Sequence, residues 1–256
     1  MNRCATLCSF LAMSITALGC ADAEEEPTEA SEEAIATVAL GVDTNGSTLD
    51  LNFARSRNIG FVCRYVSFDG AHPALTKEEV ARYRAANMPL VAIWETGQQR
   101  AVETGSLGGQ RALGAQDAKK AHDAMASFGA GSQPVYFTVD FNVTPTFWTE
   151  KTKDKKTGKV IERGDLVAAY FEGINSVMGQ KRTGAYGTYT VMQKLFDANK
   201  IAYGWQQTFA SRGDKIEPRA QLRQYDIYPS QAGWGVAGAG ALDLDRAVKK
   251  DFGQWR

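Results

Sequence analysis

The chain has 256 residues, of which 44% are hydrophobic and 23% are charged, and its 29 Lys and Arg residues balance its 29 Asp and Glu residues. This composition is ordinary for a globular protein, and the length suits a single α/β domain. A chain without net charge gives no reason to expect a nucleic-acid partner, so we predict none.

The first twenty residues predict an export signal. Arg3 precedes an uncharged run, residues 4–19, that is too short for a membrane span and is typical of a secretory signal. Two cleavage sites compete: residues 17–20 fit a bacterial lipoprotein signal with Cys20 as the lipidated first residue, and residues 21–23 fit ordinary signal-peptidase cleavage. We favour the lipoprotein signal. The predicted protein is exported, either secreted or held at the cell envelope by Cys20, which would be its one link to the membrane.

Residues 21–37 predict an acidic tether ahead of a folded domain, residues 38–256. Seven acidic residues and no basic ones lie between Asp22 and Glu33, a composition that favours disorder. Without residues 1–37, the chain has 28 basic residues against 22 acidic ones, so the domain is mildly basic. Such a charge favours anionic surfaces such as cell-wall polymers, although a well-solvated surface explains it equally well.

Cysteine and histidine are too sparse to predict a disulfide or a metal site. Cys63 is the only cysteine of the predicted domain, and its apolar neighbours indicate a small core residue. His72 and His122 lack the spacing of metal ligands. We therefore predict no metal and no other cofactor.

The predicted domain alternates strands with helices. Strands are predicted over residues 38–43, 61–66, 89–95, 134–142, 183–189, 202–209, 221–227 and 241–245. Helices are predicted over residues 49–58, 76–87, about 118–128, 165–178 and 189–199. This order predicts a (β/α)₈ TIM-type barrel in which some helices of the C-terminal half are shortened or missing. A doubly wound open sheet is the alternative, but no Gly-rich phosphate loop follows the first strand.

Polar and aromatic residues recur at the predicted strand ends. In the fourth strand, alternation places Asp140 and Asn142 on one face, where a carboxylate costs desolvation energy unless something pairs with it. In a barrel the C-terminal strand ends converge on one mouth. The residues predicted there are Asp43, Arg64, Tyr65, Trp94, Glu95, Asp140, Asn142, Tyr186, Gln206, Gln224, Asp226, Asp243 and Asp245.

This combination of side chains suits a carbohydrate. Aromatic faces stack on sugar rings, carboxylates accept hydrogen bonds from hydroxyls, and two positioned carboxyl groups can act as general acid and base. Metal binding by the same carboxylates is a less favoured alternative, because a magnesium or calcium site needs no surrounding aromatic rings. The Lys-rich segment 143–163 directly after this site is interpreted either as a mobile surface loop or as a lid or arm that touches an anionic polymer.

Six short motifs, in order and at barrel spacing, resemble a known family. They are Gly41-Val-Asp43, Arg64-Tyr65, Tyr136-Phe-Thr-Val-Asp140, Gly184-Ala-Tyr-Gly187, Leu222-Arg-Gln-Tyr225 and Leu242-Asp-Leu244. They resemble the bacterial glycoside-hydrolase-like barrel family long catalogued as a domain of unknown function, itself distantly similar to the family-25 lysozymes. The resemblance implies a barrel that acts on peptidoglycan or another polysaccharide.

The resemblance also implies roles for individual residues. In the family-25 lysozymes the fourth strand ends in Asp-x-Glu, in which the Glu is the general acid and the Asp contacts the substrate's acetamido group. Asp140 matches the Asp, but Asn142 stands where the Glu would be. Asp43 and Asp243 match acidic residues of the first and last strands and would hold the substrate or a water.

Because Asn142 cannot act as a carboxylic acid, two hypotheses remain. In the first, Glu95 protonates the glycosidic oxygen while Asp140 acts as base or orients an acetamido group. In the second, the barrel binds glycan without cutting it. In both, the predicted substrate-binding residues are Asp43, Arg64, Tyr65, Trp94, Asn142, Tyr186, Gln206, Gln224 and Asp243. A third hypothesis is a structural cell-envelope protein, since a fold alone does not define a function.

Overall fold

The computed structural model describes residues 37–44, 49–67, 73–207, 215–228 and 242–256. The predicted signal with Cys20, nearly all of the predicted tether, and His72 therefore lie outside the described residues.

Ten strands and six α-helices are described. The strands are β1 (Ala39–Thr44), β2 (Ile59–Tyr65), β3 (Leu90–Trp94), β4 (Val135–Thr138), β5 (Lys151–Lys153), β6 (Val160–Glu162), β7 (Thr183–Gly187), β8 (Tyr203–Gln207), β9 (Leu222–Tyr228) and β10 (Leu242–Ala247). The helices are α1 (Leu51–Ser56), α2 (Lys77–Ala85), α3 (Leu107–Ser127), α4 (Pro145–Thr149), α5 (Arg163–Met178) and α6 (Tyr189–Asp197).

Eight of these strands close into a barrel in the order β1-β10-β9-β8-β7-β4-β3-β2, which confirms the predicted TIM-type fold. All neighbours are parallel except β10, which is antiparallel to both β1 and β9. In the described residues no helix lies between β8 and β10, in agreement with the predicted loss of helices in this half.

The reversed β10 changes how its residues reach the mouth. Asp243 pairs in register with Asp43, and Asp245 pairs with Gly41 two residues further from the mouth. Asp243 thus lies at the mouth because it begins its strand, whereas the sequence prediction assumed that it lies near the end of a parallel strand. Asp245 is consequently placed one layer deeper in the barrel.

The barrel interior is filled by its own layer of side chains. This inner cluster contains Phe61, Cys63, Val91, Ile93, Tyr136, Trp205, Leu222, Ala247 and Phe252. Cys63 is buried there, as predicted from its neighbours. Phe252, which follows the last strand, packs its ring 4.8 Å from that of Phe61 and accepts a hydrogen bond from the Tyr136 hydroxyl at 2.9 Å. The C-terminal segment therefore closes the end of the barrel opposite the mouth.

The outer layer contains a close crossing of α3 and α5. A Cβ atom on Gly114 of α3 would lie 2.0 Å from the Tyr170 carbonyl oxygen, and one on Gly173 of α5 would lie 2.0 Å from the Arg111 carbonyl oxygen. Only glycine allows the two backbones to approach this closely. Helix α3 begins at Leu107, earlier than predicted, because Ser106 caps it by accepting a hydrogen bond from the Gly109 amide at 3.2 Å.

The Lys-rich segment 143–163 is ordered rather than an open loop. It contains α4 followed by an antiparallel hairpin of β5 and β6, with Lys151 opposite Glu162. Among the helices described in this chain, none is long and apolar enough to cross a membrane.

Candidate active site

A cavity of about 380 Å³ opens at the barrel mouth, where the parallel strands end. Eight of the eleven residues predicted to bind or react with substrate line it: Asp43, Tyr65, Glu95, Asp140, Asn142, Tyr186, Gln224 and Asp243. They come from seven different strands or the loops that follow them. The barrel thus brings together carboxylates and aromatics that lie up to 200 residues apart.

The other three predicted residues do not line the cavity, because they occupy the outward face of their strands. Arg64 follows the inward Cys63, is fully buried, and forms an ion pair with Glu79 at 3.1 Å. Trp94 packs in the outer cluster, next to the inward Ile93.

Gln206 is turned away from the cavity in the same manner. Its amide nitrogen donates to the Lys215 carbonyl at 2.6 Å, and its amide oxygen accepts from the Glu217 backbone at 2.8 Å. Gln206 therefore holds the chain that follows β8 and does not face a ligand. The side chain of Asp226 is not among those that the structure describes.

Six lining residues were missed by the sequence analysis. They are Ile93, Gln98, Thr138, Phe141, Trp205 and Gln207. The signal that identifies half of them is alternation: Ile93, Trp205 and Gln207 are the strand neighbours of residues that were predicted from position alone.

A hydrogen-bond network fixes the carboxylates on the β1 and β10 side of the cavity. The Gln224 amide nitrogen donates to Asp43 Oδ2 at 3.1 Å and to Asp243 Oδ2 at 2.9 Å. The Gln224 amide oxygen accepts from the Tyr186 hydroxyl at 2.9 Å. Below them, Asp245 Oδ1 accepts from the Trp205 indole nitrogen at 2.9 Å. One amide therefore holds two carboxyl groups at a fixed separation.

Burial controls the charge of this network. Desolvation, reinforced by the charge of Asp243, raises the pKa of Asp43 to about 8. Desolvation, reinforced by the charge of Asp43, also raises the pKa of Asp245 well above its usual range. The neighbouring carboxyl groups cannot all ionise at neutral pH, so this side of the cavity retains protons.

The aromatic hydroxyls of the cavity also stay protonated. Desolvation, with the charges of Asp43 and Glu95 adding to it, raises the pKa of Tyr65. The pKa of Tyr186 is raised by desolvation and by the charge of Asp140. Both phenols thus stay neutral throughout the physiological pH range, and Tyr186 keeps donating its proton to Gln224.

Glu95 and Asp140 follow neighbouring strands on the opposite side of the cavity. Glu95 directly follows β3, is 8% exposed, and its backbone amide donates to the Ser67 hydroxyl at 3.0 Å. Asp140 follows β4, where the Val139 amide extends the ladder by donating to the Tyr186 carbonyl at 2.8 Å. Asn142 lies two residues further on and is exposed. In the described residues no group of three or more His, Cys, Asp and Glu side chains is arranged to hold a metal ion.

A closed α/β barrel whose mouth combines paired carboxyl groups with tyrosine and tryptophan defines a glycoside-hydrolase-like protein. The model of one family, the Rv2525c-like, glycoside hydrolase-like domain, matches residues 53–247. The chain belongs to this family.

One curated relative is similar in sequence over part of this chain. "Putative peptidoglycan hydrolase Rv2525c" from Mycobacterium tuberculosis is 29% identical over 150 residues, which are 58% of this chain and 54% of that protein. The chain thus spans about half the length of this curated relative in the alignment.

Two solved structures share the fold. The crystal structure of the Mycobacterium tuberculosis Tat-secreted protein Rv2525c in complex with L-tartrate has a TM-score of 0.69 and 21% identity, covering 86% of this chain and 100% of that chain. An uncharacterized protein from B. stearothermophilus has a TM-score of 0.53 and 16% identity, covering 82% of this chain and 95% of that chain.

Proposed function

We propose that this protein is an exported glycoside hydrolase that cleaves the glycan strands of peptidoglycan. The observation that carries the proposal is the cavity itself, in which Glu95 and Asp140 meet the tyrosines and the fixed carboxyl pair Asp43 and Asp243. The name of the mycobacterial relative supports the choice of peptidoglycan as the polymer.

In the proposed reaction, Glu95 donates a proton to the glycosidic oxygen as the bond from that oxygen to the anomeric carbon breaks. A water adds to the anomeric carbon and gives its proton to Asp140. If Asp140 instead orients the acetamido group of the sugar, the water gives its proton to the Glu95 carboxylate left by the first step. The position of Glu95 suits it to the acid role, because it lines the cavity directly after β3. Asn142 is placed to position the water by hydrogen bonding.

The remaining lining residues bind the sugar. Asp43 and Asp243 contact sugar hydroxyls, and Gln224 fixes the two carboxyl groups by donating to both. Tyr65 and Tyr186 supply ring surface against which a sugar ring packs.

Export is proposed from two observations. Residues 1–20 have the pattern of a signal, and the relative Rv2525c is described as Tat-secreted. Attachment to the envelope through a lipid on Cys20 remains part of the proposal, and metabolic labelling with a fatty acid, compared with a Cys20→Ala variant, tests it.

The test of the activity is release of reducing ends from peptidoglycan and from a panel of soluble glycans. Glu95→Gln and Asp140→Asn should each lower release by about 100-fold or more. Glu103→Gln and Asp123→Asn are matched controls, since these side chains are 55% and 59% exposed. Release that persists in Glu95→Gln would refute Glu95 as the acid.

One observation favours a second function, a glycan-binding barrel without activity. Asn142 lines the cavity, and the resemblance to the family-25 lysozymes implies that it replaces their acid. No release from any substrate, together with measurable glycan binding that depends on Asp140, would establish this second function.

A further inference from the structure

The hairpin formed by β5, residues 154–159 and β6, hereafter the lysine hairpin, carries a dense positive charge. Its residues 151–159 include five lysines, all of them exposed. Lys151 is paired with Glu162 at 2.6 Å. Lys153, Lys155, Lys156 and Lys159 form no ion pair with any residue that the structure describes.

The one acidic residue of the turn does not neutralise these lysines. The Asp154 carboxylate faces inward, is 3% exposed, and accepts hydrogen bonds from the backbone amides of Leu107 at 2.8 Å, Lys156 at 2.9 Å and Thr157 at 2.8 Å. These bonds lower its pKa to about 2, so its charge is permanent but is compensated by backbone donors. Four ammonium groups therefore face solvent beside one another.

The lysine hairpin is held rigidly. The Lys155 amide donates to the Gly105 carbonyl at 2.9 Å, so the tip is fixed to the start of α3. At the base, the Arg163 guanidinium lies 4.3 Å from the centre of the Phe147 ring. These contacts hold the segment that carries the exposed lysines in one place on the surface.

The base of the lysine hairpin adjoins the cavity. The Phe147 ring packs 5.2 Å from the ring of Phe141, which lines the cavity. Asn142, which also lines it, precedes Lys151 by nine residues, and nine residues span at most about 30 Å even when fully extended. A polymer chain of a few sugars that occupies the cavity can therefore also reach the hairpin.

We propose that the lysine hairpin binds the acidic peptide side chains of peptidoglycan and holds the polymer while its glycan strand lies in the cavity. This inference rests on the proposed function, because it takes the same polymer as the ligand. Carboxylates that recur along a polymer match several ammonium groups fixed on one hairpin, and an ordered hairpin loses little conformational entropy on binding. Attraction between exposed charges is screened by salt, so the contact weakens as ionic strength rises.

The first experiment measures co-sedimentation of the full-length protein with insoluble peptidoglycan at about 0.05 M and 0.5 M NaCl. The variant Lys153→Gln/Lys156→Gln/Lys159→Gln should bind about ten-fold more weakly at low salt and lose most of the salt dependence. The matching triple Arg variant should bind like the wild type, because it keeps the charge. A control triple, Lys120→Gln/Lys249→Gln/Lys250→Gln, changes three exposed lysines outside the hairpin and should also bind like the wild type.

The second experiment identifies the anion. Peptidoglycan freed of phosphodiester polymers with hydrofluoric acid should bind as well as untreated material, whereas peptidoglycan whose peptide carboxyl groups have been converted to amides with a carbodiimide and ammonia should lose the salt-sensitive part of binding. Loss of binding after hydrofluoric acid, or equal binding by the wild type and the Gln variant, would overturn the inference. Binding requires no turnover, so a wild type that binds in this manner but releases no reducing ends would refute the proposed hydrolase and leave the role of the hairpin standing.

Discussion

Replacing Asp43 with asparagine should make the protein more stable at neutral pH. The native state holds the Asp43 proton up to a pKa of about 8, whereas the unfolded chain releases it near 3.8. Stability from this group is therefore complete below pH 3.8 and is lost as the pH rises through 8. Each pH unit in this window costs about 1.4 kcal/mol. At pH 7 the loss amounts to up to about 4 kcal/mol.

Asparagine has almost the same shape, cannot ionise, and can still accept the hydrogen bond from Gln224. We expect Asp43→Asn to raise the free energy of unfolding at pH 7 by about 2–4 kcal/mol, and the melting temperature by roughly 5–15 °C.

The assay is chemical unfolding of both proteins at a series of pH values from 4 to 9. The gain should be small near pH 4, grow steadily to pH 8 and then stay level. Asp123→Asn, at a 59% exposed side chain, is the control and should show no such gain. A gain that is independent of pH, or a loss of stability at pH 8, would show that burial and the neighbouring carboxyl groups do not strain the ionised form of Asp43.

Three further predictions concern the scaffold. Gly114→Ala should destabilise the protein by about 3 kcal/mol, because the added Cβ would overlap a backbone oxygen of α5. The control Gly108→Ala should be neutral or stabilising in the same unfolding assay, because no atom lies within 4 Å of its added Cβ. Glu79→Gln should lower the free energy of unfolding by about 3 kcal/mol, because it leaves the Arg64 charge buried without its partner. Glycan binding by the folded variant should be unchanged. Weaker binding would instead indicate that Arg64 contacts the substrate. Asp154→Asn should loosen the lysine hairpin, and the backbone amides that donate to this carboxylate should exchange hydrogen faster. Because the pKa of Asp154 is lowered to about 2, its stabilisation is present above pH 3.8 and is lost as the pH falls through 2. A variant whose stability depends on acid in the same way as that of the wild type would refute the role of Asp154 in holding the hairpin.

The barrel could be predicted because its strands and helices follow strong local patterns. The alternation in β4 places Asp140 toward the cavity as expected, and the Thr76 capping box marks the start of α2. Strand ends alone, however, do not determine which face a side chain occupies. Arg64 and Gln206 were included because they end strands, although their own neighbours show that they face outward.

Other features depend on contacts that a sequence pattern does not contain. The direction of β10 is set by its pairing with β9 and β1, and a strand of this length has the same alternation in either direction. The early start of α3 was missed because Gly108 and Gly109 are typical of a loop. Glycine is nevertheless part of this helix, since α5 packs so closely on it that Gly114 is required there. The bridging position of Gln224 likewise depends on the closed barrel.

The antiparallel β10 also has a consequence for how this scaffold could be altered. Because Tyr228 pairs with Leu242, the chain leaves the barrel and returns to it on the cavity side, with 13 residues in between. In an all-parallel barrel this connection would have to run from the cavity side to the far end of the barrel, where the last strand would begin. Because both of its ends are fixed on the cavity side by this pairing, the connection is a suitable place to graft or randomise sequence beside the proposed glycan site.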